Sequence, residues 1–466
     1  MLVLPEQNGQ ALFLYCGNLY YEQKLRWLPR RNHLKSDFVF CRRDVFVVIV
    51  VKCFLMSDAL KSRQGEIREA ATMEGAIVFA DFLSHAEMHI PFNSGYLAVL
   101  REVFPNCELV FAAQMQHLAN VEREMKGSRQ IRFEAIAPLE VARSRKAHLP
   151  WYGRIAALHC WRELARLMAG RSVRFGALGG MDANLLSVFP RRWARSQAVP
   201  LHFVLHNHLG AARQWRTRNP LLRPFDFLSV FARPLPLGQA VVVLELGLER
   251  TIVSEFPVHR KRVVTLEHPV LESEWGSPRP PRRSGPLRVA FVGHCGRGKG
   301  FDLFVDIADR FSGTEFEFHA IGRLNPNIGD RDLSSLARKP VADGLPRAVF
   351  LSALREMDLV CLPIAPENRY VASGSIIDAF AAAKPVLMPT NPMTQAISDK
   401  YGRFGPPISK RKDVFNFFDN FDASAFDAQY PGWVDAIVRI RQARTAAALA
   451  RSYRDAIDND NSIKPV

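Results

Sequence analysis

Apolar residues in this chain fall into short unbroken runs separated by polar or amphipathic stretches. The first clear run is Ala76-Ile77-Val78-Phe79-Ala80, set between Glu74-Gly75 and a polar loop, Ser84-His85-Ala86-Glu87-Met88-His89. An apolar run without polar alternation predicts a strand covered on both faces, as in a parallel sheet. The same signature recurs at residues 109–113, 131–136, 173–178, 201–205, 241–244 and 263–266. Helices are expected at 93–103 and 152–168, the latter with Ile155, Leu158, Leu164 and Leu167 on one face. A second series begins with a strand at 287–292 and a helix at 301–311. That helix buries Phe301, Phe304, Ile307, Ala308 and Phe311 and turns Asp302, Asp306 and Asp309 away. Strands at 316–321, 348–351, 359–362 and 385–388 and a long helix at 433–457 complete it. Strands alternating with helices predict doubly wound parallel sheets. No repeat with a period of about 20–50 residues is present.

The two series are separated by residues 273–286, which hold four prolines and two glycines and read as a linker. The expected organisation is an N-terminal extension over 1–72, a Rossmann-like domain over 73–272, the linker over 273–286, a second Rossmann-like domain over 287–430, and a terminal helix and tail over 431–466. Residues 1–72 lack strand–helix alternation. They are expected to be a poorly ordered accessory extension, or the product of an upstream start codon with Met73 or Met56 as the true start. The apolar run 45–51, behind Arg42-Arg43 and cut by Lys52, falls short of the ~18 residues a spanning helix needs.

Composition narrows the class without choosing it. The chain has 466 residues, 48% hydrophobic and 23% charged, which excludes a wholly disordered or fibrous protein. The seven cysteines form no CxxC pair, so no zinc knuckle is suggested, and reduced cysteines in a cytoplasmic protein are expected. Lys and Arg outnumber Asp and Glu by 62 to 46, a formal charge of +16, which calls for an anionic partner.

Two loops carry candidate chemistry. The first is Gly293-His294-Cys295-Gly296-Arg297-Gly298-Lys299-Gly300, between a strand and a helix. Its backbone N–H groups, the following helix N-terminus, Lys299 and Arg297 suit a diphosphate. A P-loop is nearly matched, but position 300 is Gly where a Mg²⁺-holding hydroxyl is needed. Gly296, Gly298 and Gly300 give G-x-G-x-G, not the dinucleotide fingerprint. A plain strand-to-helix turn is the other reading of these residues. The second loop contains Glu367, Tyr370, Ser373, Gly374 and Ser375 and leads into a helix carrying Asp378, with Ala383-Lys384-Pro385-Val386 beyond. Ser373 and Ser375 stand where hydroxyls and N–H groups meet phosphate oxygens, or where they simply cap the helix.

Taken together, the G-x₅-K-G loop (Gly293 to Gly300) and the Asp378-Ala379-Phe380-Ala381…Lys384-Pro385-Val386 helix resemble the donor domain of GT-B glycosyltransferases, specifically the large retaining nucleotide-sugar-dependent group (family 4-like). The resemblance covers roughly residues 73–457. It implies an α/β, GT-B fold: two Rossmann-like, doubly wound parallel-sheet domains facing across a cleft. It implies that Lys299 contacts the donor phosphates, with His294 standing where the family has Arg and Arg297 compensating. Asp378 then contacts ribose, and Tyr370 occupies a position where the family has Glu, with Glu367 nearby. His206, after the strand at 201–205, is similar to the family's cleft histidine, and His85 and His89 are acceptor-side candidates. The implied reaction moves a sugar from a UDP-, GDP- or ADP-sugar to a saccharide or lipid-linked acceptor, with retention. The nucleotide sugar is a substrate, and no cofactor or metal is called for. A catalytically inactive GT-B-like binding protein and a sugar-nucleotide epimerase on the same fold are the alternatives. No module pairing basic residues with stacking aromatics indicates a nucleic-acid partner.

The charge excess is local. Residues 141–223 hold fifteen Lys or Arg and two acids, Glu163 and Asp182, with Trp151, Tyr152, Trp193 and Trp215 among them. Basic residues beside interfacial aromatics suit an anionic membrane surface. Peripheral attachment to the inner face of the plasma membrane is therefore expected, a solvated basic face being the plainer reading.

Overall fold

β3 (Ala76–Asp81) is buried along its whole length, as its unbroken apolar run requires. The computed structural model describes residues 38–42, 45–49, 74–126, 131–137, 150–197, 199–206, 219–281, 285–364 and 373–461. The chain divides into two units, Met1–Ile67 and Arg68–Val466. In the first, β1 (Phe38–Arg42) pairs antiparallel with β2 (Val45–Ile49), a hairpin where no strand was expected. The remaining expectations for 1–72 lie outside the described residues.

The second unit holds two parallel sheets. β4 (Glu108–Ala113), β5 (Ile131–Ala135), β6 (Val173–Leu178), β7 (Leu201–Leu205), β8 (Gln239–Leu244) and β9 (Val263–Leu266) join β3 in seven strands ordered β5-β4-β3-β6-β7-β8-β9. β10 (Leu287–Cys295), β11 (Phe316–Leu324), β12 (Leu359–Cys361), β13 (Val386–Pro389) and β14 (Pro407–Ile408) form five strands ordered β11-β10-β12-β13-β14. Strand order reverses beside β3 in the first sheet and beside β10 in the second. Such a reversal opens a crevice at the carboxyl ends of the strands. The loops singled out by sequence, 84–89 and 293–300, begin at those crevices.

Each sheet is covered on both faces. In the first, Val78, Ala80, Leu164, Phe189, Phe203 and Phe231 pack on one side, beneath the helices Pro150–Met168 and Ala183–Ser196. Ile77, Phe79, Tyr96, Phe111, Phe175 and Tyr453 pack on the other. Tyr453 is the unexpected member. The expected single helix over 433–457 is two, Ala423–Ala443 and Ala446–Asn461, interrupted at Arg444. The second returns to the first sheet, where the Tyr453 hydroxyl hydrogen-bonds with Tyr96 Oη at 2.5 Å and His202 Nδ1 at 2.8 Å. Residues 348–351, expected as a strand, lie inside the helix Arg347–Arg355.

The interruption at Arg444 has a partner to match. Its guanidinium, fully buried, donates Nη1 to Glu245 Oε1 at 2.6 Å and Nη2 to Glu245 Oε2 at 2.7 Å. Glu245 follows β8 with φ +118° and Glu267 follows β9. Glu267 takes a further bond from Arg444, plus Lys400 Nζ at 2.6 Å and Tyr401 Oη at 2.9 Å from the second half. The halves also meet at Gly247, with φ +81°, where an added Cβ would lie 2.3 Å from the Pro392 carbonyl oxygen. Among the described residues no helix is long and apolar enough to cross a membrane.

Candidate active site

The first wall of the site grows from the end of β3. Asp81, fully buried, accepts from the Leu83 and Ser84 N–H groups at 3.0 and 2.9 Å and from Asn93 Nδ2 at 2.9 Å. Burial pushes its carboxyl up, but the His89 charge and the bonds from Ser84 and Asn93 outweigh that and hold it below its ordinary value. Asn93 Nδ2 is also 2.7 Å from His117 Nε2. The folded-back loop places His89 at the N-cap of the helix Ile90–Val103 with φ 56°, an uncommon conformation for a side-chain-bearing residue. Its Nδ1 lies 3.1 Å from Ser84 Oγ.

His206, just past β7, stacks on His89 with ring centroids 4.3 Å apart and planes 7° from parallel. Phe92 meets His206 edge-on at 4.4 Å and His268 at 5.1 Å. His89 and His206, both candidate residues on sequence, are thus stacked directly on one another by the fold. His85 is exposed on the same loop. Sequence reading missed Asp81, Asn93, His117 and His268. Asp81 ends the first apolar run, and that position was the available signal.

The second wall is the glycine loop. Gly293 has φ +93°, and an added Cβ would lie 2.6 Å from Ser375 Oγ. Gly300 has φ +81°, with an added Cβ 2.1 Å from the Pro363 carbonyl oxygen. Gly293 lets the turn close on the helix Gly374–Ala381, and Gly300 lets it close on the segment after β12. Gly296 sits against Asn325, whereas Cβ atoms at Gly298 and Gly374 would meet nothing within 4 Å, so this side of the loop is open. Lys299 stands between the walls. Burial lowers its pKa, opposed by Asp378 and Cys295, and its charge depresses both His294 of its own loop and His89 across the cleft. His294 is exposed and hydrogen-bonds with Asn325; Arg297 is exposed.

The helix Gly374–Ala381 supplies the floor. The Ser375 hydroxyl donates to the Val292 carbonyl at 2.8 Å, pinning the helix to β10, so that proton is committed to the fold. Ser373, at the N-cap, is buried, and its Oγ has no hydrogen-bond partner among the described residues. Asp378 Oδ1 accepts from Arg347 Nη1 at 2.7 Å, and Arg347 also grips Glu274 through Nε and Nη2, each at 2.5 Å. Burial disfavours the Arg347 charge, but Asp378 and Glu274 raise its pKa overall. Neither Arg347 nor Glu274 carried a sequence signal. Glu367 and Tyr370 lie outside the described residues. Among those described, no group of three or more His, Cys, Asp or Glu is arranged to hold a metal ion.

The buried histidines set the acid behaviour of this edge. His268 is lowered to about 4, chiefly by burial, against an ordinary value of 6.5, and burial lowers His89 and His117 in the same direction. The unfolded chain then binds protons first as pH falls. Stability should be full above pH 6.5 and fall between 6.5 and about 4, His268 alone accounting for about 3 kcal/mol. Urea midpoints across that window measure the slope, which His268→Phe should flatten. A level profile in the parent protein would contradict the buried neutral imidazole.

No protein-family model matches the chain, and no curated protein matches it in sequence. Solved structures do match. A glycosyltransferase from Rickettsia africae superposes with TM-score 0.57 at 9% identity, covering 84% of this chain and 100% of that one. WaaG, a glycosyltransferase involved in lipopolysaccharide biosynthesis, gives 0.52 at 11%, covering 82% and 99%. An E. coli trehalose-6-phosphate structure bound with UDP-2-fluoro glucose gives 0.51 at 10%, covering 84% and 100%. The fold is therefore GT-B, as the two loops led us to expect. The site just described lies where the carboxyl ends of its two sheets meet.

Proposed function

We propose that the protein is a glycosyltransferase that moves a sugar from a nucleotide-sugar donor to a saccharide or lipid-linked acceptor, with retention and without a metal. The observation that carries the reading is Lys299, held between the two sheets beside Asp378 and opposite His89. As the nucleoside diphosphate leaves, negative charge grows on its β-phosphate. A half-buried lysine ammonium at this cleft would stabilise that charge more in the transition state than in the ground state. Arg297 and the N-terminus of the helix Gly374–Ala381, with the buried Ser373 hydroxyl, add to it. Asp378, oriented by Arg347, faces the ribose hydroxyls in this reading, and His206 with His89 positions the sugar and acceptor. The structural neighbours whose names specify glycosyl transfer or a UDP-sugar support the class of reaction.

Thermal unfolding with UDP-, GDP- and ADP-sugars tests it. The matching donor at about 100 times its Kd should stabilise the protein by about 2.7 kcal/mol. No shift with any donor would overturn the reading. The anomeric configuration of the product, read by NMR, separates retention from inversion. Activity that survives a chelator supports the metal-free reading.

A further inference from the structure

Among its described residues, the basic stretch 141–223 is not one surface. Arg191, Arg192 and Arg195 are exposed at the end of the helix Ala183–Ser196, while Trp193 between them is buried in the core and donates its indole N–H to the Val199 carbonyl at 2.9 Å. The expectation that Trp193 is interfacial is therefore wrong: it faces inward, packed over Gly176.

The other end of this helical layer is different. Here the first turns of the helix Pro150–Met168 meet residues 219–233. Arg154 lies with its guanidinium 4.5 Å above the Phe225 ring and feels the like charge of Arg233. Arg233 Nη2 donates to the Pro224 carbonyl at 2.7 Å, and Arg223 is exposed alongside. Three large apolar side chains project from this corner: Leu221 at 81% exposure, Ile155 at 61% and Phe225 at 36%. No carboxylate pairs with Arg154, Arg223 or Arg233 among the described residues. Asp226, the one acid within 150–162 and 219–238, caps a helix through the Ser229 N–H at 2.9 Å.

The corner lies at the carboxyl edge of the first sheet, the edge that carries the candidate site. Gly153 packs against Asn184 at the head of the helix that follows β6. The chain leaves β7 at His206 and re-enters the described structure at Asn219.

We propose that this corner, Arg154, Ile155, Leu221, Arg223, Phe225 and Arg233, is the docking face for an anionic lipid bilayer. Protruding apolar tips ringed by guanidinium groups match the two layers of a membrane interface. The tips enter the acyl boundary and the cations remain among the headgroups. The charge is complementary to an anionic leaflet. Of the apolar tips only Phe225 carries a ring, and Arg154 already sits over its face, which disfavours stacking by a single-stranded nucleic acid. The inference deepens the proposed function by naming the surface from which a lipid-linked acceptor is met. It stands apart from the donor site, so donor-induced thermal shifts should survive its failure.

Co-sedimentation of the full chain with vesicles of phosphatidylcholine, and of phosphatidylcholine mixed equally with phosphatidylglycerol, tests it. The protein should bind the anionic vesicles at least about tenfold more tightly, given about a fivefold gain per nearby cation. Arg154→Glu with Arg223→Glu should weaken that binding by more than about tenfold. Ile155→Ser with Leu221→Ser should weaken it severalfold even at low salt. Both pairs should keep the parent thermal midpoint and donor-induced shift. Equal binding to neutral and anionic vesicles would overturn the proposal. So would variants that bind as the parent does, or a preference for a single-stranded oligonucleotide over vesicles that the same variants abolish.

Discussion

Replacing Lys299 with methionine should lower sugar transfer by about 10²–10³-fold while leaving the protein as stable as before or more so. The two effects have one cause. Lys299 is held between the walls of the site, where burial lowers its pKa from the ordinary 10.5 and the Asp378 charge only partly compensates. A base whose folded pKa is lowered costs stability throughout the pH range below its folded value, and the cost disappears above 10.5. The fold therefore carries an ammonium that weakens it at neutral pH. An apolar side chain of similar length removes that cost and removes the charge that meets the leaving diphosphate. Arg297→Met is the useful contrast. Arg297 is exposed, so its charge is screened and its loss should cost about tenfold or less. The measurement is kcat with the donor identified by thermal shift, alongside the urea midpoint. A Lys299→Met enzyme within threefold of the parent rate would remove Lys299 from the chemistry, and with it the main support for the proposed reaction.

Arg444→Met should destabilise the protein by about 3–5 kcal/mol, because it strands Glu245 and deprives Glu267 of a partner. Glu245 is 1% exposed and receives two charge-assisted bonds from Arg444. With the guanidinium gone, the remaining carboxylate must stay charged in the dry interior or take up a proton. Removing both charges avoids that cost: Arg444→Met with Glu245→Gln should recover most of the loss, since a pair replaced as a unit is close to neutral. Arg444→Lys keeps the charge but not the fork, and should fall between the two. Urea midpoints give all three values. A loss below about 1 kcal/mol for Arg444→Met would mean that water reaches Glu245.

The contrast between these two sites explains what the sequence could disclose. Parallel strands are buried on both faces and announce themselves as apolar runs, so β3, β4, β6, β7 and β9 match their expected spans to within a residue, while β10 runs three residues past its expected end at Val292 into the glycine loop. The short run at 348–351 was ambiguous, since four apolar residues fit one helical turn as well as a strand, and the helix Arg347–Arg355 is the outcome. The helix Ala183–Ser196 carries Pro190 within it, which argues locally against a helix that tertiary packing nevertheless retains. Glycine loops are legible because close backbone approach needs glycine locally, and Gly293 and Gly300 meet that need. Ion pairs are not. Arg444 and Glu245 are 199 residues apart, and Arg347 and Glu274 are 73 apart. Nothing in the neighbourhood of either residue encodes the other. Asp378 was legible as a residue but not the arginine that orients it.

The helix Ala446–Asn461 also has a consequence for how the chain is made. Leu449, Ala450, Tyr453 and Ile457 complete the same apolar cluster as Ile77, Tyr96 and Phe175. Emerging from the ribosome, the first sheet can form and take its cover from the helices Ile90–Val103 and Met115–Glu124, but part of that face stays open until residues 446–461 have been translated. Domains that emerge complete can fold as they appear. Here the first half completes its cover only with the helix Ala446–Asn461, so Tyr96, Phe175 and His202 lack their Tyr453 contacts while the second sheet is synthesised. That interval is when a ribosome-associated chaperone would bind, and its footprint would be the face that Tyr453 later covers.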